Sequence, residues 1–322
     1  METSQLDNII KSSKKILIIS HINPDGDTLG SMCGLYSAIW DNFKKKPDML
    51  LMSPIPQTYT FLPYCEKAKH ISEYDTSREY DLVINTDVAS ADRMFDSAPL
   101  FNRAKFTVNI DHHITNNGYA QLNFVCPDAS STGEVLFALM KEMRWKISLN
   151  TATCLYTAIL TDTGAFRFQN TSQNTMSAIA ELIGIGVNPS LIYKYCYETN
   201  SKNHVLFQAY CISKAVFLND DKIAYIQVYK KDMEKFNVPD DCTEGLAEKL
   251  RAILPVEIAF IVKQLSPKVS KVSMRSETVD ISAICAKLGG GGHKLAAGVL
   301  IKSGMKDATG KILNEINDTI KL

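Results

Sequence analysis

Ile16-Leu17-Ile18-Ile19-Ser20-His21-Ile22-Asn23-Pro24-Asp25-Gly26-Asp27 is the stretch that decides how this chain folds. Its first four residues are apolar on both faces, as a strand is in a parallel sheet covered by helices on each side. A tight polar loop follows, carrying one imidazole and two carboxylates at the strand's carboxyl end, the edge where open α/β sheets collect ligands. The pattern recurs twice: Leu82-Val83-Ile84 runs into Asn85-Thr86-Asp87, and Phe106-Thr107-Val108-Asn109-Ile110 into Asp111-His112-His113. Helical patterns lie between the apolar runs, at Leu29 to Phe43 and at Thr132 to Met143, the second opened by Ser131 and Glu134 as a capping box. Strands alternating with helices predict an α/β, doubly wound parallel-sheet domain.

The limits of the chain agree. Its 322 residues suggest two domains at roughly 150 residues each, and 45% hydrophobic with 22% charged residues excludes disordered and fibrous classes. Lys plus Arg and Asp plus Glu both total 35, so the basic excess that drives binding to long duplex nucleic acid is missing. The eight cysteines form no CxxC motif and are expected to be reduced, mostly buried thiols. No apolar run reaches the 18 or so residues of a membrane helix, and Met1 to Lys15 is polar, so no membrane association and a cytoplasmic setting are the expectation.

Beyond Ile185 the texture changes. Gly186-Val187-Asn188-Pro189-Ser190 is a turn cluster, and Leu191 to Lys214 reads as connecting helices. The expected organisation is therefore a first domain over 1–190, a helical linker over 191–214 and a smaller α+β domain over 215–322. That last domain shows a hairpin around Asn219-Asp220-Asp221, strands near Val256 to Leu265 and Lys271 to Arg275, a glycine run and a final amphipathic helix. Residues 1–195 carry 17 basic and 20 acidic side chains, and residues 196–322 carry 18 and 15, so the first part is acidic and the second basic.

The strand-end residues form one constellation. His21, Asp25, Asp27, Asp87, His112 and His113 fall at equivalent edges, and Asp162, after the apolar helical run Cys154 to Leu160, is placed to close it. A lone strand-end Asp is commonly a turn or helix cap; the coincidence of four carboxylates with three of the chain's six histidines argues for metal. Mixed Asp and His ligands without thiolate favour Mn²⁺, with Fe, Co or Zn as alternatives and Mg²⁺ less suited. Clustered carboxylates repel unless cations neutralise them. Two ions sharing one carboxylate fit six or seven ligands and are the usual apparatus for displacement at phosphorus. Ser130-Ser131-Thr132 reads as a helix opening, Phe166 and Phe168 as core positions of a strand, and His70 and His204 have no recognisable role.

At these residues the chain resembles the DHH phosphoesterase superfamily, named for the triplet that stands here as Asp111-His112-His113. His21-Ile22-Asn23-Pro24-Asp25-Gly26-Asp27 is similar to the family's first motif, Asn85-Thr86-Asp87 to its second and Thr161-Asp162-Thr163-Gly164 to its fourth, in order. The resemblance implies that His21, Asp25 and Asp87 hold one Mn²⁺, that Asp27, Asp87, His112 and Asp162 hold the other, and that Asp87 bridges. His113 is assigned phosphate contact or protonation of the leaving oxygen. Gly289-Gly290-Gly291-Gly292-His293 resembles the glycine motif of the DHH-associated substrate domain, and Ser273-Met274-Arg275-Ser276 the strand carrying its arginine. Gly290, Gly291, Gly292, His293 and Arg275 are thus the expected substrate-binding residues; successive glycines let backbone N–H groups converge on an anion, and an adjacent helix start would add its dipole.

Within the family, exonucleases for longer DNA carry extra modules, membrane-bound cyclic-dinucleotide phosphodiesterases add membrane helices, and the pyrophosphatase and exopolyphosphatase branch has a different second domain. The resemblance then implies a metal-dependent hydrolase of short oligoribonucleotides that also removes the 3′-phosphate from pAp. Relatives suggest a homodimer. A cyclic di-AMP phosphodiesterase is the alternative within this chemistry, and a non-catalytic nucleotide-sensing module the alternative of another class.

Overall fold

The apolar run Ile16–Ile19 becomes strand β1, and its alternation divides two cores: Ile16 and Ile18 face one side of a sheet, Leu17 and Ile19 the other. In the computed structural model, which describes residues 2–319, the chain divides into two units, Met1–Thr199 and Asn200–Leu322. Met1 and residues 320–322, the outer ends of the two expected domains, lie outside the described residues.

The first unit contains β1, β2 (Asp48–Leu51), β3 (Ala68–His70), β4 (Leu82–Thr86), β5 (Phe106–Asp111) and β6 (Leu122–Val125), with helices α1 (Glu2–Ser12), α2 (Gly26–Phe43), α3 (Ala98–Arg103), α4 (Thr132–Glu142), α5 (Leu149–Asp162), α6 (Gln173–Ile185) and α7 (Pro189–Tyr197). The strand order is β3-β2-β1-β4-β5-β6, and every pairing is parallel. The doubly wound parallel sheet expected from the sequence is present. Its order reverses between β1 and β4, the switch point where such sheets bind ligands. Strands β2, β3 and β6 were not legible in the sequence: each is short, and Asp48, Lys69 and Asn123 interrupt the continuous apolar run that marks β1.

Helix α2 lies against α5 through Gly26, Gly30 and Gly34, one stripe at four-residue spacing. A Cβ at Gly30 would stand 2.6 Å from the Cys154 carbonyl oxygen, and one at Gly34 2.9 Å from Leu155 Cδ2. The helix starts at Gly26 rather than at Leu29, because the Asp25 side chain caps it by accepting the Thr28 N–H at 2.9 Å. The capping box expected on α4 is half formed: Ser131 accepts the Glu134 N–H, but Glu134 Oε2 turns to the Ser130 N–H and hydroxyl and to the Thr175 hydroxyl. Residues 163–168 form turns, not a strand, and Phe168 is exposed; Gly164, Ala165 and Phe166 in succession have positive φ, which no strand accommodates.

The second unit contains α8 (Lys202–Ile212), β7 (Val216–Leu218), β8 (Ile223–Val228), α9 (Lys230–Phe236), α10 (Leu246–Arg251), β9 (Ile258–Ser266), β10 (Val269–Ser276), α11 (Ile281–Lys287), β11 (Gly291–His293), β12 (Ala296–Ile301) and α12 (Met305–Thr319). Its sheet runs β11-β12-β10-β9-β8-β7, antiparallel except for β8 with β9. Asn219, Asp220 and Asp221 form the β7–β8 turn with φ of 52°, 52° and 64°, conformations these residue types tolerate. Helix α7 places Ile192 in the core of the first unit, and α8 places Phe207 and Cys211 in a core of the second. Among the described residues no single helix is long and apolar enough to cross a membrane.

Candidate functional site

The carboxyl ends of β1, β4 and β5 are adjacent, so the loops after them converge. His21 leaves β1, and Asp25 and Asp27 sit at the start of α2. Asp87 follows β4 with φ of 62°, a left-handed turn uncommon outside Gly, Asn and Asp, and its N–H donates to the Ile110 carbonyl at 3.0 Å. Asp111 ends β5, and His112 and His113 follow it. Asp162 is the last residue of α5, where the helix already presents its negative end.

These side chains meet in three overlapping sets whose ligand atoms lie within 4.8 Å of one another: His21, Asp25 and Asp87; Asp27, His112 and Asp162; Asp87, His112 and His113. His21 and His112 are each oriented through their other nitrogen. His21 Nδ1–H meets the Ile22 carbonyl at 2.6 Å and His112 Nδ1–H the Ala129 carbonyl at 3.3 Å. That turns His21 Nε2 to within 3.3 Å of Asp87, and His112 Nε2 to 3.6, 3.8 and 3.9 Å from Asp162, Asp27 and Asp87. A backbone carbonyl on Nδ1 is how proteins hold an imidazole for metal ligation through Nε2.

The charges are balanced unevenly. Burial, together with the negative charge of Asp87, Asp162 and Asp25, pushes Asp27 well above the usual carboxylate range, and burial with Asp25 and Asp87 does the same to Asp162. Burial acts against ionised Asp87 too, but its hydrogen bond to His21 and the neighbouring imidazoles hold it below that range. His21 is raised to about 9: burial opposes its charge, and Asp87 outweighs burial. His113, likewise opposed by burial, is raised by its 2.7 Å hydrogen bond to Asp111 and by surrounding carboxylates. Buried carboxylates held apart from their ordinary ionisation, with imidazoles already turned inward, fit divalent cations. The donors are oxygen and nitrogen only, without thiolate.

Four supporting residues, Thr28, Ser31, Thr132 and Gly133, were not assigned to the site from the sequence. Thr28 Oγ1 lies 2.6 Å from His21 Nε2 and donates to Asp87 Oδ2 at 2.7 Å. Thr132 Oγ1 donates to Asp87 Oδ1 at 3.1 Å, so each oxygen of Asp87 accepts one threonine hydroxyl. Asp27 accepts the N–H groups of Thr132 and Gly133 and the Ser31 hydroxyl. Thr132, the first residue of α4 after its cap Ser131, reads as part of a helix opening; that the start of α4 reaches Asp27 and Asp87 follows only from the fold.

In the second unit, Arg275 pairs with Ala296, which pairs in turn with His293. The three share one face, with Arg275 and His293 roughly 10 Å apart across two strand spacings. Arg275 Nε donates to Glu248 at 2.7 Å and Nη1 to the Met274 carbonyl at 2.8 Å. The glycine run differs from expectation. Gly289 and Gly290 close α11, their N–H groups donating to the Ala286 and Cys285 carbonyls, and Gly291–His293 is strand β11. The neighbouring helix therefore offers its C-terminal end, not a helix start, because Gly289, at φ 83°, takes the left-handed position that ends a helix. A Cβ at Gly290 would stand 2.3 Å from the Gly298 carbonyl oxygen, so part of the run serves the close approach of β12.

Comparison with known proteins gives the following. Residues 15–159 match the N-terminal domain of the DHH family, and residues 220–322 match the DHHA1 domain. The chain is 29% identical over 310 residues to the bifunctional oligoribonuclease and PAP phosphatase NrnA of Bacillus subtilis, covering 95% of each chain. It is 30% identical over 291 residues to the probable bifunctional oligoribonuclease and PAP phosphatase NrnA of Streptococcus mutans, covering 90% of each. Its fold matches the crystal structure of an exopolyphosphatase-related protein from Bacteroides fragilis with a TM-score of 0.93 at 24% identity, over 98% of this chain and 96% of that one.

Proposed function

Since this chain belongs to the DHH family of phosphoesterases, its DHH domain followed by a DHHA1 domain, we propose that it hydrolyses very short oligoribonucleotides, dinucleotides above all, to mononucleotides and removes the 3′-phosphate from pAp. The observation that carries this reading is the gathering of four carboxylates and three imidazoles at the switch point of the first sheet. The two NrnA relatives support the substrate class.

In this reading His21, Asp25 and Asp87 hold one divalent cation and Asp27, Asp87, His112 and Asp162 a second, with Mn²⁺ the ion of choice for mixed carboxylate and imidazole ligands. Bound cations at such a site polarise phosphoryl oxygens and bring the ionisation of a water toward neutral pH. Asp87 belongs to both sets, and Thr28 and Thr132 fix the plane of its carboxylate. His113 gives its Nδ1–H to Asp111, which keeps the ring oriented and protonated, and its other nitrogen delivers a proton to the leaving oxygen. Arg275, with one terminal nitrogen outside its two hydrogen bonds, the backbone of Gly291 and Gly292, the Gly290 turn that presents them and the side chain of His293 bind the phosphate or base of the substrate.

The test is chromatographic: protein with Mn²⁺ and 5′-phosphorylated diadenylate, AMP followed over many turnovers, with Asp87→Asn alongside. Asparagine tolerates the left-handed backbone at this position, so a fold defect is avoided. AMP release by the parent and loss of nearly all of it in the variant is expected. Retention of much of the rate by Asp87→Asn contradicts the shared role of Asp87. No release from metal-loaded protein directs the reading to cyclic di-AMP as substrate and then to nucleotide sensing. Tripolyphosphate is the comparison substrate, since a fold match alone does not separate these reactions.

A further inference from the structure

The carboxyl edge of the first sheet extends past the constellation. Strands β2 and β3 end at Leu51 and His70 on the same edge as β1, because all three are parallel. Between the segments leaving them is a cavity of about 340 Å³, within the size range of small-ligand sites. Leu51, Ile55 and Ala68 supply apolar wall, and Ser53, His70 and Glu73 its polar groups. It is joined to the cation loop: the Asn23 N–H donates to Ser53 Oγ at 3.1 Å, and Ser53 Oγ donates back to Asn23 Oδ1 at 3.3 Å.

The chemistry of the lining narrows its ligand. His70 has both ring nitrogens engaged, Nδ1 with Ser72 Oγ at 2.7 Å and Nε2 with the Met52 carbonyl at 3.2 Å. With both nitrogens engaged, the ring is fixed in orientation at the cavity wall, and imidazole faces stack on nucleobases. Glu73 is exposed and makes no ion pair or side-chain hydrogen bond among the described residues. A carboxylate at the edge of such a sheet is an acceptor for ribose hydroxyls. No lysine or arginine lines the cavity, so a phosphate group is not its occupant.

We propose that this cavity is a ribonucleoside subsite: the base stacks on His70 against Leu51, Ile55 and Ala68, and Glu73 accepts the ribose hydroxyls. The proposal rests on the phosphoesterase reading above and adds to it a source of preference for ribose over deoxyribose.

The experiment compares the parent with Glu73→Ala and with Ala68→Trp, which fills the cavity, on three substrates: diadenylate, its 2′-deoxy counterpart and a minimal chromogenic phosphodiester. Losing the acceptor should raise KM for diadenylate about tenfold, the equivalent of one charged hydrogen bond, with kcat little changed. The chromogenic diester should be unaffected by Glu73→Ala, and the deoxy substrate, which keeps only the 3′-hydroxyl, should lose less than diadenylate. Ala68→Trp should weaken both nucleotide substrates and spare the chromogenic diester. Adenosine binding, measured by calorimetry on the Mn²⁺-loaded protein, should fall in parallel. If the parent cleaves diadenylate and both variants match it in KM and in adenosine binding, the subsite is wrong and the phosphoesterase reading stands. If the parent cleaves the chromogenic diester but neither cleaves diadenylate nor binds adenosine, the nucleotide reading and the subsite fall together.

Discussion

Asp27 and Thr132 stand 105 residues apart, yet the Thr132 backbone N–H donates to Asp27 Oδ2 at 2.8 Å. The bond ties the start of α2 to the start of α4, and the same threonine's hydroxyl reaches Asp87. The candidate cation ligands Asp27 and Asp87 are thereby positioned by a residue outside the candidate ligand set.

Removing one such support should loosen the site without altering its charge. Thr28→Val keeps the side-chain shape and deletes the hydroxyl between His21 and Asp87. Mn²⁺ affinity should fall by about tenfold or more, the usual effect of losing a ligand's hydrogen-bonding partner, and Thr28→Ser should restore most of it. Titration of the metal-free protein with Mn²⁺ checks this; unchanged affinity in Thr28→Val contradicts it.

The pKa shifts predict opposite pH trends for stability and for metal binding. His21 is raised from 6.5 to about 9, so its contribution to the metal-free fold is complete below pH 6.5 and is lost as pH rises through 9. Asp27 and Asp162 are also raised, and their contribution declines once pH climbs above the ordinary carboxylate range. Metal-free protein should therefore lose stability between pH 6.5 and 9, while Mn²⁺ binding strengthens there and releases protons. Melting curves across that range, with proton release in weak buffer, decide the point. Binding without proton release would be the contrary result.

Gly30→Ala should destabilise the first unit by about 1–3 kcal/mol through overpacking, since the new Cβ meets a backbone carbonyl at 2.6 Å. Gly184, within α6 and with nothing within 4 Å of its Cβ position, is the control. There alanine should be neutral or stabilise by about 0.4–1 kcal/mol. Denaturant unfolding of both variants measures the difference.

Asp111→Asn tests His113. The carboxylate holds the imidazole above its ordinary pKa, so neutralising it should let His113 lose its proton at lower pH. If protonated His113 serves the leaving oxygen, the alkaline limb of kcat/KM moves to lower pH; an unmoved limb removes His113 from that role.

The doubly wound sheet, and the edge at which its polar strand ends gather, are legible in the order of the residues. Four consecutive apolar residues at Ile16–Ile19 are compatible with a strand buried on both faces, and a strand's end fixes where the following polar residues emerge. Family motifs in order then carried the reading to individual side chains. Which hydrogen bonds hold those side chains depends on the packing of the folded chain. Asp25 became a helix cap as well as a candidate ligand, Glu134 turned from its own helix cap toward Ser130 and Thr175, and the glycine run became a helix end and a strand instead of a helix-start cradle. Local patterns are set by neighbours within a turn or two. The partners of Asp27, Asp87 and Glu134 include residues 41 to 106 positions away, brought within reach by packing that single-sequence periodicity does not encode.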